Sequence, residues 1–205
     1  RSSEDLASES CHVEIDICKE PIGKQDQYAA AYGGLNWIRF ETDGTVTVDP
    51  IICRQDTVSW VENSILTFYT GVTRSASDLL SRQSDTMSQN RDKQVTMQKM
   101  VDLAYTRRDE LQRNNGEVFG DVLHENWMLK KSLTQGISNA DIDDWYERAM
   151  KAGAKGGKLL GAGAGGFMIF VAPPENHDAI RTALPDLRPV DFKFEKSGSR
   201  IIFYQ

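Results

Sequence analysis

The stretch from Gly153 to Gly166 holds much of the chain's glycine and runs directly into Phe167-Met168-Ile169-Phe170-Val171, an apolar run that reads as a buried strand. Glycine loses more backbone freedom on folding than any other residue, so this concentration implies a backbone that turns tightly or lies close against another surface. The residues before it, 140–152, carry Ile142, Trp145, Tyr146 and Ala149 at helical spacing, with Ser138 and Asp141 spaced as a capping box. A glycine-rich link from helix to strand is therefore expected, and it sets the order of the second half of the chain. A strand at 65–70 comes first, followed by helices at 75–83, 87–112, 118–133 and 140–152. A strand at 167–171, a helix at 175–184 and strands at 190–195 and 200–204 complete it. That order predicts an α+β fold in which a helical block is inserted into a ferredoxin-like layout with one face of an antiparallel sheet covered.

The first part of the chain reads differently. Ser2 and Asp5 have capping-box spacing, and a helix is expected over 3–20, although the alternation Val13-Glu14-Ile15-Asp16-Ile17 leaves a strand open. Pro21 and Gly23 break it, and an Ala-rich helix over 26–32 ends at Gly33-Gly34. β-rich runs on either side of Asp43-Gly44 predict a hairpin. A polar interval over 54–62 follows, and a boundary near residue 57 gives two domains, 1–56 and 57–205.

Composition excludes several classes. The 205 residues have a net charge of −6 and no Lys/Arg run, which argues against a broad nucleic-acid or anionic-membrane surface. Three cysteines, with no CxxC pair, suggest neither a disulfide framework nor zinc, and a reducing cytoplasm fits best. Cys11 and Cys18, with His12 between them in sequence, are read as buried small hydrophobic residues rather than as a metal site. No apolar stretch approaches the roughly 20 residues of a membrane span. RSSEDLASES is neither a signal peptide nor an initiating Met, so the chain is expected to begin in mid-protein.

Two segments could carry chemistry. Residues 161–166 formally contain GxGxxG, but the run is expected to follow a helix and open a strand, whereas a dinucleotide fingerprint follows a strand and opens a helix whose N-terminus meets the pyrophosphate. No Ser or Thr follows a Gly-Lys pair, so there is no Walker loop. A tight connection and close approach of a ligand both remain open for these glycines, with Lys155 and Lys158 close by in sequence for phosphate oxygens. The second segment is Pro21-Ile22-Gly23-Lys24-Gln25-Asp26-Gln27. Its carboxylate can cap a helix. Alternatively, Asp26 orients or deprotonates a substrate hydroxyl while Lys24 offers positive charge to phosphate oxygens. Glu14 lies upstream, and a carboxylate near phosphates calls for an intervening cation such as Mg²⁺, which takes one or two carboxylates plus phosphate oxygens.

The run CHVEIDICKEPIGKQDQYAAAYGGLNWIRF resembles the second conserved block of the GHMP kinases, and GAKGGKLLGAGAGGFMIFV resembles their third, glycine-rich block. FYTGVTRSASDLL and FGDVLHENWMLKKSL are similar to the branch of that family acting on heptose 7-phosphates. The resemblance implies that 1–56 is the end of an ATP-binding, ribosomal S5-like domain and that 57–205 is the family's C-terminal domain. It implies an ATP- and Mg²⁺-dependent bacterial enzyme of carbohydrate metabolism that moves the γ-phosphoryl group to the anomeric hydroxyl of D-glycero-D-manno-heptose 7-phosphate. Asp26, with Lys24, would be catalytic, and Glu14 would hold the metal. Gly161, Gly163, Gly165 and Gly166 would lie near the nucleotide, while Gly23, Gln27 and Arg74 would contact the substrate. The family's first block, a Gly/Ser-rich loop cradling the ATP phosphates, is expected N-terminal to Arg1, so the 205 residues alone are expected not to phosphorylate sugar. That segment, or a second copy in a homodimer, is the expected partner. Rival readings are a kinase for another sugar, such as fucose or galactose, and a non-catalytic ligand-binding module of the same fold.

Overall fold

At the start of the chain the Ser2 hydroxyl accepts from the Asp5 amide at 3.1 Å and the Asp5 carboxylate accepts from the Ser2 amide at 2.9 Å, so the expected capping box opens α1 (Ser3–Cys11). These coordinates are a computed structural model that describes residues 1–72, 90–161 and 165–200. The chain divides into Arg1–Ile52 with the described residues from Lys193 onward, and Cys53–Phe192.

In the first unit α1 runs on into a π-helical turn, His12–Ile17, in which the Cys18 amide reaches back five residues to the Val13 carbonyl at 2.9 Å. The alternation over 13–17 is thus helical and not a strand, but with wider turns than an α-helix. Lys19, at φ 59°, then redirects the chain. α2 (Gln25–Tyr32) follows, and then the antiparallel pair β1 (Asn36–Phe40) and β2 (Val46–Pro50), in register at Ile38 and Val48. Ala7 and Cys11 of α1 meet Tyr28 and Ala31 of α2, and Ile38, Val46 and Val48 close the core from the hairpin. Small residues on both helices permit that close packing. Glu4 accepts from the Tyr28 hydroxyl at 2.8 Å and the Tyr32 hydroxyl at 3.0 Å, tying the first turn of α1 to α2.

The second unit begins with α3 (Gln55–Ser64), where the sequence suggested only a polar interval. Its buried Thr57, Val61 and Ser64 form a single helical stripe in otherwise polar surroundings. β3 (Ile65–Tyr69) is followed by α4 (Arg91–Gln112), α5 (Phe119–Leu133), α6 (Ala140–Lys151), β4 (Gly156–Leu159), β5 (Phe167–Val171), a short 3₁₀ turn (Pro174–Asn176), α7 (His177–Ala183) and β6 (Arg188–Val190). The expected helix over 75–83 lies outside the described residues, as does most of the expected strand over 200–204. Strand β6 stops at Val190, short of the 190–195 run that the sequence favoured. The sheet order is β4-β5-β3-β6 with every pair antiparallel, which is a ferredoxin-like layout with helices inserted after its first strand. Leu66 and Phe68 of β3 and Met168 and Phe170 of β5 alternate into a core shared with Trp127 and Leu133 of α5 and Ile142 and Tyr146 of α6.

Two local expectations are corrected. The N-cap of α6 is Asn139, whose side chain accepts from the Ile142 amide at 3.0 Å, while the Ser138 hydroxyl donates to Asp143 at 2.9 Å, so Ser138 and Asp141 form no capping box. Asn139→Ala is expected to cost about 1 kcal/mol in a denaturant melt, the usual worth of such a cap. Strand β4 was hidden because Gly156 and Gly157 have no β propensity, and the glycine-rich run therefore follows a strand and not a helix. A Cβ at Gly156 would lie 2.0 Å from the Gly120 carbonyl oxygen of α5, so at this glycine the close approach is between helix and sheet. The run does open strand β5 and not a helix, so it offers no helix N-terminus to a pyrophosphate although a strand precedes it.

Candidate active site

In the first unit, the π-helical turn carries Glu14 and the first turn of α2 carries Asp26. Gln27 joins them. Its side-chain amide donates to the Glu14 carboxylate, and the residue is only 7% exposed. Its other polar atom, Oε1, is buried without a hydrogen-bond partner. A buried orphan acceptor is costly and calls for a donor, such as a hydroxyl or a bound water.

Asp26 itself is exposed, and its carboxylate makes no hydrogen bond or ion pair with a described residue. It does not serve as a side-chain cap for α2, although it sits where the helix N-terminus favours negative charge. Lys24 is directed elsewhere, its ammonium donating to the Gly44 carbonyl in the hairpin turn at 3.2 Å. Gly23 is exposed, with open space where a side chain would stand. Cys11 is buried as expected and its thiol is pushed up by burial, but Cys18, expected to be buried, is exposed beyond the π-helical turn, and His12 faces Asp16 at 2.9 Å, so these three do not share a site. Among the described residues no three His, Cys, Asp or Glu side chains gather into a metal cage. Mg²⁺ needs no such cage, since one protein carboxylate and phosphate oxygens suit it, and the tethered Glu14 carboxylate fits that demand.

The second unit carries Gly161, Gly165 and Gly166, while Gly163 and Arg74 lie outside the described residues. The connection from β4 to β5 is closed by the Leu160 amide on the Phe167 carbonyl at 2.8 Å. Two side chains that the sequence did not mark take hold of it. The Thr70 hydroxyl donates to the Gly166 carbonyl at 2.8 Å and accepts from the Gly166 amide at 3.1 Å, and the Lys130 ammonium donates to the Gly161 carbonyl at 2.8 Å. Thr70 and Gly166 are 96 positions apart, a pairing that no local pattern reveals.

Comparison with known proteins gives this geometry a family. Residues 108–188 match the family model described as GHMP kinases C terminal. A D-glycero-alpha-D-manno-heptose 7-phosphate kinase of Campylobacter jejuni subsp. jejuni is 31% identical over 178 residues, 86% of this chain and 52% of that protein. A solved structure of a putative sugar kinase from Campylobacter jejuni superposes with a TM-score of 0.68 at 26% identity, covering 97% of this chain and 56% of that one. The galactokinase of Lactococcus lactis, solved with galactose, shares the fold at a TM-score of 0.72 and 17% identity, over 98% of this chain and 61% of that one. The chain thus spans about half the length of the heptose kinase it matches. By its matched residues, its fold and the relatives it resembles along most of its length, the chain carries a GHMP kinase C-terminal domain.

Proposed function

We propose that the chain supplies the acceptor-activating and glycine-rich parts of an ATP-dependent sugar-phosphate kinase, with the anomeric hydroxyl of D-glycero-D-manno-heptose 7-phosphate as acceptor. The observation that carries this reading is the buried Gln27, which links Glu14 to the helix turn that holds Asp26 unencumbered. Phosphoryl transfer passes through a loose transition state, so positioning and charge neutralisation dominate over strong base catalysis. Asp26 accepts the hydrogen bond of the attacking hydroxyl and takes up its proton as that oxygen bonds to the γ-phosphorus and the bond to the bridging oxygen breaks, with ADP as the leaving group. Glu14 would hold Mg²⁺, which when bound neutralises phosphate charge. Gln27 Oε1 accepts from a substrate hydroxyl, and Gly23 leaves room for the sugar beside it. Lys24, whose ammonium rests on the Gly44 carbonyl, is proposed to leave that carbonyl for the phosphate oxygens when they are bound, and Arg74 is the proposed contact for the substrate phosphate. The glycines at 161, 163, 165 and 166 are proposed to lie against the nucleotide.

The test is phosphoryl transfer from Mg²⁺-ATP by the whole protein, run side by side on heptose 7-phosphate, fucose and galactose. Turnover of the heptose phosphate at a kcat/KM at least 100-fold above the others is the expected result. A preference for either free sugar would remove the substrate proposed here. Binding of sugar phosphates without turnover would favour a non-catalytic module. The 205 residues alone are proposed to give no turnover.

A further inference from the structure

We infer that Arg107 is the core of an anion site in the second unit, where its guanidinium takes a phosphate ion or a phosphate monoester. Such a site needs neither Asp26 nor the glycine-rich connection. Arg107 sits in α4 four positions before Leu111, which is 2% exposed, and so on the same helical face. Its guanidinium carbon lies 4.7 Å from the ring centroid of Phe119, the first residue of α5. The ring covers a face of the cation but leaves its N–H groups without acceptors. Nε is buried with no hydrogen-bond partner, and the terminal nitrogens make no hydrogen bond or ion pair with a described residue. The acids nearest along the chain are engaged elsewhere. Asp109 accepts from Arg108 at 2.7 Å, while Glu110 accepts from Arg113 at 3.1 Å and from Asn115 at 2.6 Å. Asp121, in the first turn of α5, is exposed and makes no ion pair with Arg107.

Burial pushes the guanidinium down to about 10, which leaves it charged at neutral pH. A cation taken out of water without a counter-charge is costly, and a bound anion would supply the missing charge. Guanidinium N–H groups form a planar fork that matches phosphate oxygens in pairs, and a phosphate dianion brings more charge than a carboxylate. Nη1 and Nη2, unlike Nε, are not cut off from solvent, so the oxyanion meets that edge while Phe119 keeps the face. The start of α5 adds the positive end of its dipole beside Phe119, and Val118, its N-cap, makes no side-chain hydrogen bond there.

The experiment titrates inorganic phosphate into the whole protein by calorimetry and in thermal melts, at constant ionic strength so that screening does not contribute. Wild type is compared with Arg107→Met, Arg107→Lys and Arg74→Met. Wild type is expected to bind phosphate, with Tm rising by about 4–7 °C at about twenty times the dissociation constant. Arg107→Met should weaken binding at least about tenfold, the effect of losing a charge-assisted hydrogen bond. Arg107→Lys keeps the charge without the fork and should fall between the two. A parallel titration with glucose 6-phosphate separates the sources: tighter binding than inorganic phosphate assigns the site to a phosphate monoester, and weaker binding to the free ion. No binding of either by wild type overturns the inference. Affinity left unchanged by both Arg107 substitutions also overturns it, because the arginine would then only pack on Phe119. Should Arg107→Met fail to fold, wild-type affinity in Arg107→Lys has the same consequence. Binding lost in Arg74→Met but kept in the Arg107 variants overturns it too, since the anion would then belong to the proposed acceptor site. Turnover is no part of these readouts, so their outcome is separate from that of the kinase assay.

Discussion

Asp26→Asn is expected to lower the kcat of the whole protein by about 10²- to 10⁴-fold, the range over which a positioned acid or base contributes. The KM for ATP should change little, since the proposed contact is with the acceptor hydroxyl. Stability should be nearly unaffected. The Asp26 carboxylate is exposed and has no partner among the described residues, and substitutions at such positions usually fall within about 0.5 kcal/mol. That separation of activity from stability is what distinguishes this carboxylate from a helix cap, whose loss would cost about 1 kcal/mol and leave turnover intact. A variant that keeps kcat within a few-fold of wild type would remove Asp26 from the mechanism and leave the family's fold without its proposed chemistry. A variant that loses activity together with several degrees of Tm would instead point to a structural role that the geometry does not contain.

Much of this arrangement was legible in the residues themselves. The Ser2 and Asp5 spacing, the Asp43-Gly44 hairpin and the helix ending at Gly33 are local devices, each set by a few neighbours, and each folds as read. What could not be read depends on distance along the chain. Strand β4 has two glycines where a strand normally has β-branched residues, and it exists because β5 pairs with it and α5 crosses it at Gly120. The cap of α6 passed from Ser138 to Asn139 because the Ser138 hydroxyl found Asp143. In the candidate site, the kinds of residue at 14, 26 and 27 were visible, but not that Gln27 would be buried with its amide on Glu14, since that contact requires α1 and α2 to pack first. The π-helical turn was equally hidden, because its composition allows both helix and strand.

The glycine-rich run also conceals a division of labour, and substitution at two of its positions should separate the two roles. Gly156→Ala is expected to be the more damaging to stability. Its Cβ would meet the Gly120 carbonyl oxygen at 2.0 Å and the His124 amide nitrogen at 2.9 Å, both backbone atoms of α5, so no side-chain rotation can relieve the contact. Helix α5 must move, and it carries the fully buried Trp127 and Leu133 into the core. Overpacking of this kind costs about 3 kcal/mol at the upper end of its usual range. At this size each kcal/mol lowers Tm by about 2–4 °C, so a fall of about 6–12 °C is expected in a thermal melt. Gly161→Ala meets open space and pays only for a left-handed backbone at φ 78°, about 1–2 kcal/mol. If residue 161 faces a nucleotide, the order reverses in kinetics, with Gly161→Ala raising the KM for ATP more than Gly156→Ala does. Should Gly161→Ala prove the more destabilising of the two, the packing account of Gly156 would fail, and with it the explanation of why a strand of this sheet begins with two glycines.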